Sequence, residues 1–413
     1  MTGSEAPAAL VALVALLVVM PLVAFASRWL RLPYTVALVL VGIVVSALPV
    51  RDQVAVSPSA IVTLLVPGLV FEAAYRLDGD DLRRTFGGIA LLAVPGVLVS
   101  AAVVAAVLHL ATGLPANEAF LVGAMVSATD PVAVVATMRR LRAPRRLVTL
   151  VDAESLFNDG TGILVFTIAL GTFGSPETLA GDAIAFGAGI AASICIGAVG
   201  GYLIARAAAL TEDHLIELTL TLLAAYGTYL VADLVHESGI IATVVAGIVL
   251  GTYGRRIGLS TRAQEAIDDV WEFLAFVLTA IVFLLIGIAI PLGALRDALA
   301  PIAWGVVAVL IGRALVIYGL LGGTARVAHR LGRAPRLPVS WLHVMNWAGL
   351  RGAIATALAL SLPADIPDRA LLQGITFGIV LFTLIVQGAT AERVVRWAGV
   401  EEEAEPVARR PPR

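Results

Sequence analysis

The chain has 413 residues, of which 59% are hydrophobic and only 14% charged, with a mean hydropathy of +0.95. So few charges cannot cover the surface of a water-soluble globule, which excludes a soluble enzyme, a nucleic-acid binder and a disordered chain. The net charge of −2 offers no basic field for nucleic acid. What remains is an all-α polytopic membrane protein, because only helices and closed barrels satisfy their own backbone in lipid.

Apolar stretches of about twenty residues, bounded by charge or by Pro/Gly clusters, mark spanning helices. In chain order they fall at 8–27, 32–49, 59–75, 86–111, 117–138, 147–173, 182–208, 214–235, 238–253, 266–290, 298–323, 338–361 and 370–391, thirteen spans in all. The first has no cationic segment before it and is read as a retained helix. All 28 basic residues are Arg. With the N-terminus outside and the C-terminus inside, 23 of them lie in inside segments and 3 outside, and Arg313 and Arg351 fall within spans. That asymmetry is what the positive-inside rule requires of a correct topology. Residues 1–397 are read as one transmembrane domain of a multi-pass cell-membrane protein, and 398–413 as a disordered cytoplasmic tail. No GxxxxGK[ST] phosphate loop occurs, so no nucleotide is expected and any transport must run on an ion gradient.

Some residues read as packing or anchoring groups. Cys195, the one cysteine, sits in an apolar run and is expected in the core. Gly197/Gly201 and Gly247/Gly251 have the GxxxG spacing of close helix contacts, within the chain or at a dimer face. Trp29, Trp271 and Trp397 lie near span ends and are expected at the membrane interface. His343 is expected to pack or to hydrogen-bond.

The fifth and twelfth spans look alike. SATDPVAVVAT (127–137) and WAGLRGAIATA (347–357) each have a helix-weakening centre, Pro131 in one and Gly349/Gly352 in the other. Seven spans apart, the two copies run in opposite directions, so spans 1–6 and 8–13 are expected to form an inverted repeat. Interrupted helices at matching places in two halves point to a transporter's midplane site.

A charge at the centre of a bilayer costs about 2.5–3.5 kcal/mol on insertion scales, so each one present needs a reason. Glu72, Asp130, Asp152, Glu154, Asp159, Glu217, Asp233, Arg313 and Arg351 all fall within spans; Asp152, Glu217 and Asp233 lie near span ends, where headgroups or water are in reach. The densest group is DAESLFNDGTG (152–162). Ser155 and Asp159, four apart, share a helix face; Glu154 and Asn158 share another, about 100° round. The first pair supplies hard oxygens suited to a small alkali cation, and Glu154 is placed to meet an intramembrane arginine. In ATDP (128–131), Pro131 cannot donate to the carbonyl of Ser127, so the helix breaks there and frees carbonyls. Two roles stand for Asp130: capping the half-helix that follows, or binding a cation directly.

These residues carry a resemblance. ATDPVAVVA, ESLFNDGTG, WEFLAFVLTAIVFLLIG (271–287), GRALVIY (312–318) and GLRGAIA (349–355), in this order, are similar to the monovalent cation:proton antiporters of the electroneutral NhaP/NHE type. The resemblance implies that Asp159 takes the cation and the proton in turn, that Glu72, Ser155 and Thr129 join the alkali-cation site, and that Asp130 supports it within crossed, unwound helices. It implies a Glu154 ion pair with Arg351 or Arg313, a homodimer, and a core bundle of spans 3–6 and 10–13 beside a scaffold. No cofactor is expected beyond the transported Na+ or Li+ and H+.

One buried carboxylate balances either a proton or a monovalent cation, so exchange becomes obligatory if the empty, charged site cannot cross cheaply. Asn158 offers no second titrating group, so one-for-one, electroneutral exchange is expected. A K+/H+ exchanger of the same fold is the alternative, because selectivity rests on cavity size and dehydration. An intramembrane aspartyl protease is a remote one: paired carboxylates occur, but in ATDP and FNDG contexts rather than GxGD.

Overall fold

The protein is described by a computed structural model covering residues 5–30, 32–46, 61–171, 179–290, 292–332 and 337–400. Among these residues every regular element is helical. The helices are α1 (Glu5–Leu30), α2 (Tyr34–Ser46), α3 (Thr63–Tyr75), α4 (Gly79–Thr112), the half-helices α5a (Ala116–Met125) and α5b (Val132–Arg140), and α6 (Arg145–Gly171). Then come α7 (Leu179–Ala208), α8 (His214–Leu234), α9 (Gly239–Ile257), α10 (Thr261–Ala289), a short helix at Leu292–Asp297, α11 (Leu299–Arg330), the half-helices α12a (Val339–Trp347) and α12b (Ala353–Ser361), and α13 (Arg369–Trp397). Helix thus lies over every apolar stretch in the sequence, and in the fifth and twelfth it is interrupted. Seven of these helices are long and apolar enough to cross a bilayer alone: α4, α7, α8, α9, α10, α11 and α13. The 27-residue α6 misses that standard because its middle is polar. Of the expected tail 398–413, residues 398–400 are described and Val400 is buried, while 401–413 lie outside the described residues.

Local chemistry sets the helix ends. Asp78, Asp213, Ser238 and Ser260 each accept a backbone N–H from the first turn of α4, α8, α9 and α10. Such caps satisfy donors that a helix start leaves orphaned. Gly113 ends α4 in the left-handed region, at φ +73°. Small residues then let the helices close up. Gly197 and Gly201 bring α7 against Ala242 and Ala246 of α9, and Gly247 and Gly251 bring α9 against Ala74 and Tyr75 of α3. Both GxxxG pairs are therefore contacts within the chain.

Two expectations fail for one reason. Trp271 is buried at 1% exposure, donating its indole N–H to Thr221 Oγ1 at 2.8 Å and packing on Phe71, whereas Trp29 and Trp397 are exposed as expected. Cys195 is exposed on the outer side of α7, beside exposed Ile194, Val199 and Leu203. Lipid-facing and core-facing helix surfaces are equally apolar, so hydrophobicity alone does not say which way such a residue points. Leu17, Phe25, Leu223, Leu230 and Phe273 are exposed as well, which suits a chain solvated by acyl tails.

Candidate functional site at two crossed broken helices

The breaks in α5 and α12 touch. Pro131 has no N–H for the Ser127 carbonyl, and Val132 gives its own N–H to Asp130 Oδ1 at 3.4 Å instead of to Ala128. Both freed carbonyls are taken by one residue: Arg351 Nη1 donates to Ser127 O at 2.9 Å and to Ala128 O at 2.8 Å. In return Asp130 gives its N–H to Leu350 O at 2.8 Å, and its Oδ2 accepts from Ala353 N–H at 3.3 Å. Thr383 on α13 accepts the Arg351 N–H at 3.0 Å. Gly352 has to be glycine: a Cβ there would run into the Asp130 carboxylate.

The pattern is electrostatic as well as geometric. Helix N-termini carry partial positive charge and C-termini partial negative charge. Asp130 lies at the N-termini of α5b and α12b, and Arg351, fully buried, lies at the C-terminus of α5a. The C-terminus of α12a receives Arg313 from α11, whose Nε and Nη2 donate to Met345 O at 3.2 and 2.8 Å. All four half-helix ends are thereby met by an opposite charge. Of the two roles open to Asp130, the capping one is what its contacts describe.

Arg313 also settles the partner of Glu154. Its guanidinium forks onto both Glu154 oxygens, with Nη2 to Oε2 at 3.1 Å and Nη1 on Oε1, and the two side chains are 5% and 2% exposed. Arg351 makes no such pair. A planar fork matched to a carboxylate is what arginine supplies and lysine does not. The contact locks α6 to α11 and, through Met345, to α12a.

α6 then presents its other stripe to the break in α5. Ser155 donates its hydroxyl to Thr129 O at 2.7 Å. Asn158 donates Nδ2 to Thr129 Oγ1 at 2.8 Å and accepts the Thr129 N–H on Oδ1 at 3.2 Å. Every polar group of Thr129 is thus held by α6. The Asp159 side chain, one turn beyond Ser155, makes neither a hydrogen bond nor an ion pair with a described residue. Its carboxylate lines a cavity of about 220 Å³ together with Glu72, Thr129, Asp130, Ser155 and Gly352. The residues expected at the site therefore converge on one space, except Arg313, Glu154, Asn158 and Arg351, which brace its walls.

Glu72 reaches the cavity from α3 but does not stand free. Arg76, one turn on, pairs with it at 2.7 Å and also touches Glu272 and the carbonyl of Asp268, each at 3.2 Å. The sequence reading missed Arg76 and Arg139, although the four-residue spacing of Glu72 and Arg76 carried the signal. Among the described residues no three or more His, Cys, Asp or Glu side chains gather as a metal centre would need. The cavity's oxygens are hydroxyls, a carbonyl and carboxylates, of which Glu72, Asp130 and Asp152 are engaged by other groups, a hard set suited to a cation in passage.

An all-helical, lipid-facing bundle with two crossed, broken helices over a polar cavity is a membrane transport architecture. The comparisons carry this further. A family model described as "Sodium/hydrogen exchanger, transmembrane" matches residues 12–397. The chain is 38% identical over 372 residues to the low-affinity Na(+)/H(+) antiporter NhaS1 of Synechocystis, covering 89% of this chain and 69% of that protein. It is 32% identical over 392 residues to the Na(+)/H(+) antiporter NhaH of Halobacillus dabanensis, covering 91% and 94%. Its fold is like that of the sodium proton antiporter MjNhaP1 from Methanocaldococcus jannaschii, with a TM-score of 0.75 at 20% identity over 96% of this chain and 100% of that one. The chain belongs to the transmembrane sodium/hydrogen exchanger family, and is a multi-pass cell-membrane protein of a family of transporters, not enzymes.

Proposed function

We propose that this protein exchanges Na+ or Li+ for H+, one for one and without net charge movement, by competitive binding at Asp159. The observation that carries the reading is the Asp159 carboxylate, unpaired among described residues, on a cavity lined by Ser155 and Thr129. In this reading the Ser155 hydroxyl turns away from Thr129 O when a cation arrives. Two oxygens then face the ion beside the carboxylate. Glu72 completes the set from α3 once it lets go of Arg76, and Asp130 stays in its capping place. The relatives named above are Na(+)/H(+) antiporters, which supports sodium over potassium.

The topology follows from the same reading: thirteen spans, N-terminus outside, C-terminus inside, α1–α6 and α8–α13 as inverted repeats. The core bundle is α3–α6 with α10–α13, and the remaining helices form the scaffold of a homodimer. Only a neutral, loaded Asp159 crosses cheaply between the two faces, which makes the exchange obligatory. In proteoliposomes, Asp159→Asn is expected to abolish cation-dependent dissipation of a pH gradient, and wild-type rates in that variant would overturn the assignment. Running the wild type with Na+, Li+ and K+ in turn tests the choice of ion.

A further inference from the structure

The 220 Å³ cavity adjoins a second basin of about 1040 Å³, and the two have Arg139 and Asp152 in common. Arg139, the penultimate residue of α5b, reaches Asp152 on α6 at 2.6 Å. Asp152 is mostly covered at 15% side-chain exposure, while the Arg139 side chain is 48% exposed and lines both spaces. Asp152 precedes Asp159 by seven residues on the same helix, about 10 Å and two turns away, so both project along one face. The other charges at the neck are Glu72 and Glu272, both in contact with Arg76. A cation moving from the basin to Asp159 by way of these shared residues passes the tethered charge of Arg139.

We propose that the Arg139–Asp152 ion pair is an electrostatic gate at the neck between the basin and the cavity, setting how readily an alkali cation reaches Asp159 from the basin side. Arg139 is here a positioning residue: it binds no substrate but fixes the charge of the passage. With the pair intact, Arg139 offsets the charge of Asp152. Removing the cation of the pair leaves Asp152 to attract incoming Na+, and removing the anion leaves Arg139 to repel it. The effect is a matter of charge count, so the two single changes oppose each other and the double change cancels. The proposal rests on the function assigned above.

The test is Na+-dependent H+ flux in oriented proteoliposomes, with Na+ supplied to one face at a time. Arg139→Gln is expected to lower the KM for Na+ from the basin side about fivefold, and Asp152→Asn to raise it by a similar factor, for one unit charge in a partly hydrated neck. Maximal rates should stay within about twofold, since the gate acts through local concentration. Arg139→Lys should keep the wild-type KM, and the Arg139→Gln/Asp152→Asn pair should return to it. The shifts should shrink when an impermeant organic salt is added, because exposed charges are screened. Equal KM changes from both faces, shifts of the same sign in both single variants, or a maximal rate that falls with KM unmoved would each overturn the gate. Asp159→Asn in the same preparation separates the two claims. Exchange that survives there refutes the assigned function; its loss, with an unmoved KM in Arg139→Gln, refutes only the gate.

Discussion

Gly352 shows how little room the crossing leaves. Its missing Cβ is the space in which the Asp130 carboxylate sits while capping α12b. Gly352→Ala is expected to push that carboxylate off the Ala353 N–H and to destabilise the protein by about 1–3 kcal/mol, as overpacking does. A lower melting temperature in detergent together with weakened exchange would bear this out; unchanged values would count against it. Asp78 is a second single residue with a readable effect. It lies in the turn before α4, and the backbone N–H groups of Asp81 and Asp80 hold its carboxyl below the usual aspartate range. A carboxyl depressed in the folded state adds stability above its unfolded pKa and loses it as pH falls through the folded value. Asp78→Ala should therefore cost about 1 kcal/mol at neutral pH. The difference from wild type should close as the medium is acidified through the carboxylate range, measured by thermal unfolding at a series of pH values.

At the scale of helices, the Arg313 fork joins three elements, α6, α11 and α12a, through Glu154 and Met345. Cutting one side leaves a buried charge alone. Arg313→Met is expected to destabilise by about 3–5 kcal/mol, with most of that recovered when Glu154→Gln is added. Tryptophan fluorescence melts of the single and double variants give the comparison; additive losses would contradict it. The elements themselves were legible in the sequence. Apolar runs give the helices because lipid leaves the backbone no other partner. Pro131 and the Gly349/Gly352 pair give the two breaks for equally local reasons, and the Ser155/Asp159 stripe follows from helical spacing. The tertiary partners were not legible. Nothing in spacing distinguishes Arg313 from Arg351 as the mate of Glu154, since both are intramembrane arginines several helices away. The targets of Arg351 are backbone carbonyls, which carry no residue-type signature. Trp271 and Cys195 were misread because sequence patterning cannot tell core from lipid. Arg76 and Arg139 were passed over because positive charges near span ends are ordinarily topological.

For the molecule as a whole, the amide of Asn158 matters to the charge balance. It is fully engaged with Thr129 and brings no titratable group beside Asp159. Exchange is therefore expected to leave the membrane potential unchanged. A voltage-sensitive dye in potassium-free vesicles should report no signal while the pH gradient collapses; a sustained potential would show that more than one charge moves per turnover. The stitching of the two crossed helices also bears on how such a protein can drift in sequence. Arg351 grips the main chain of Ser127 and Ala128, and Asp130 holds the amides of residues 132 and 353 and donates to the carbonyl of Leu350. Peptide groups are common to every amino acid. Point replacements at 127, 128 or 350 thus leave the joint's acceptors in place, and the joint depends on the two charged side chains that do the grasping and on the glycine that makes way for one of them.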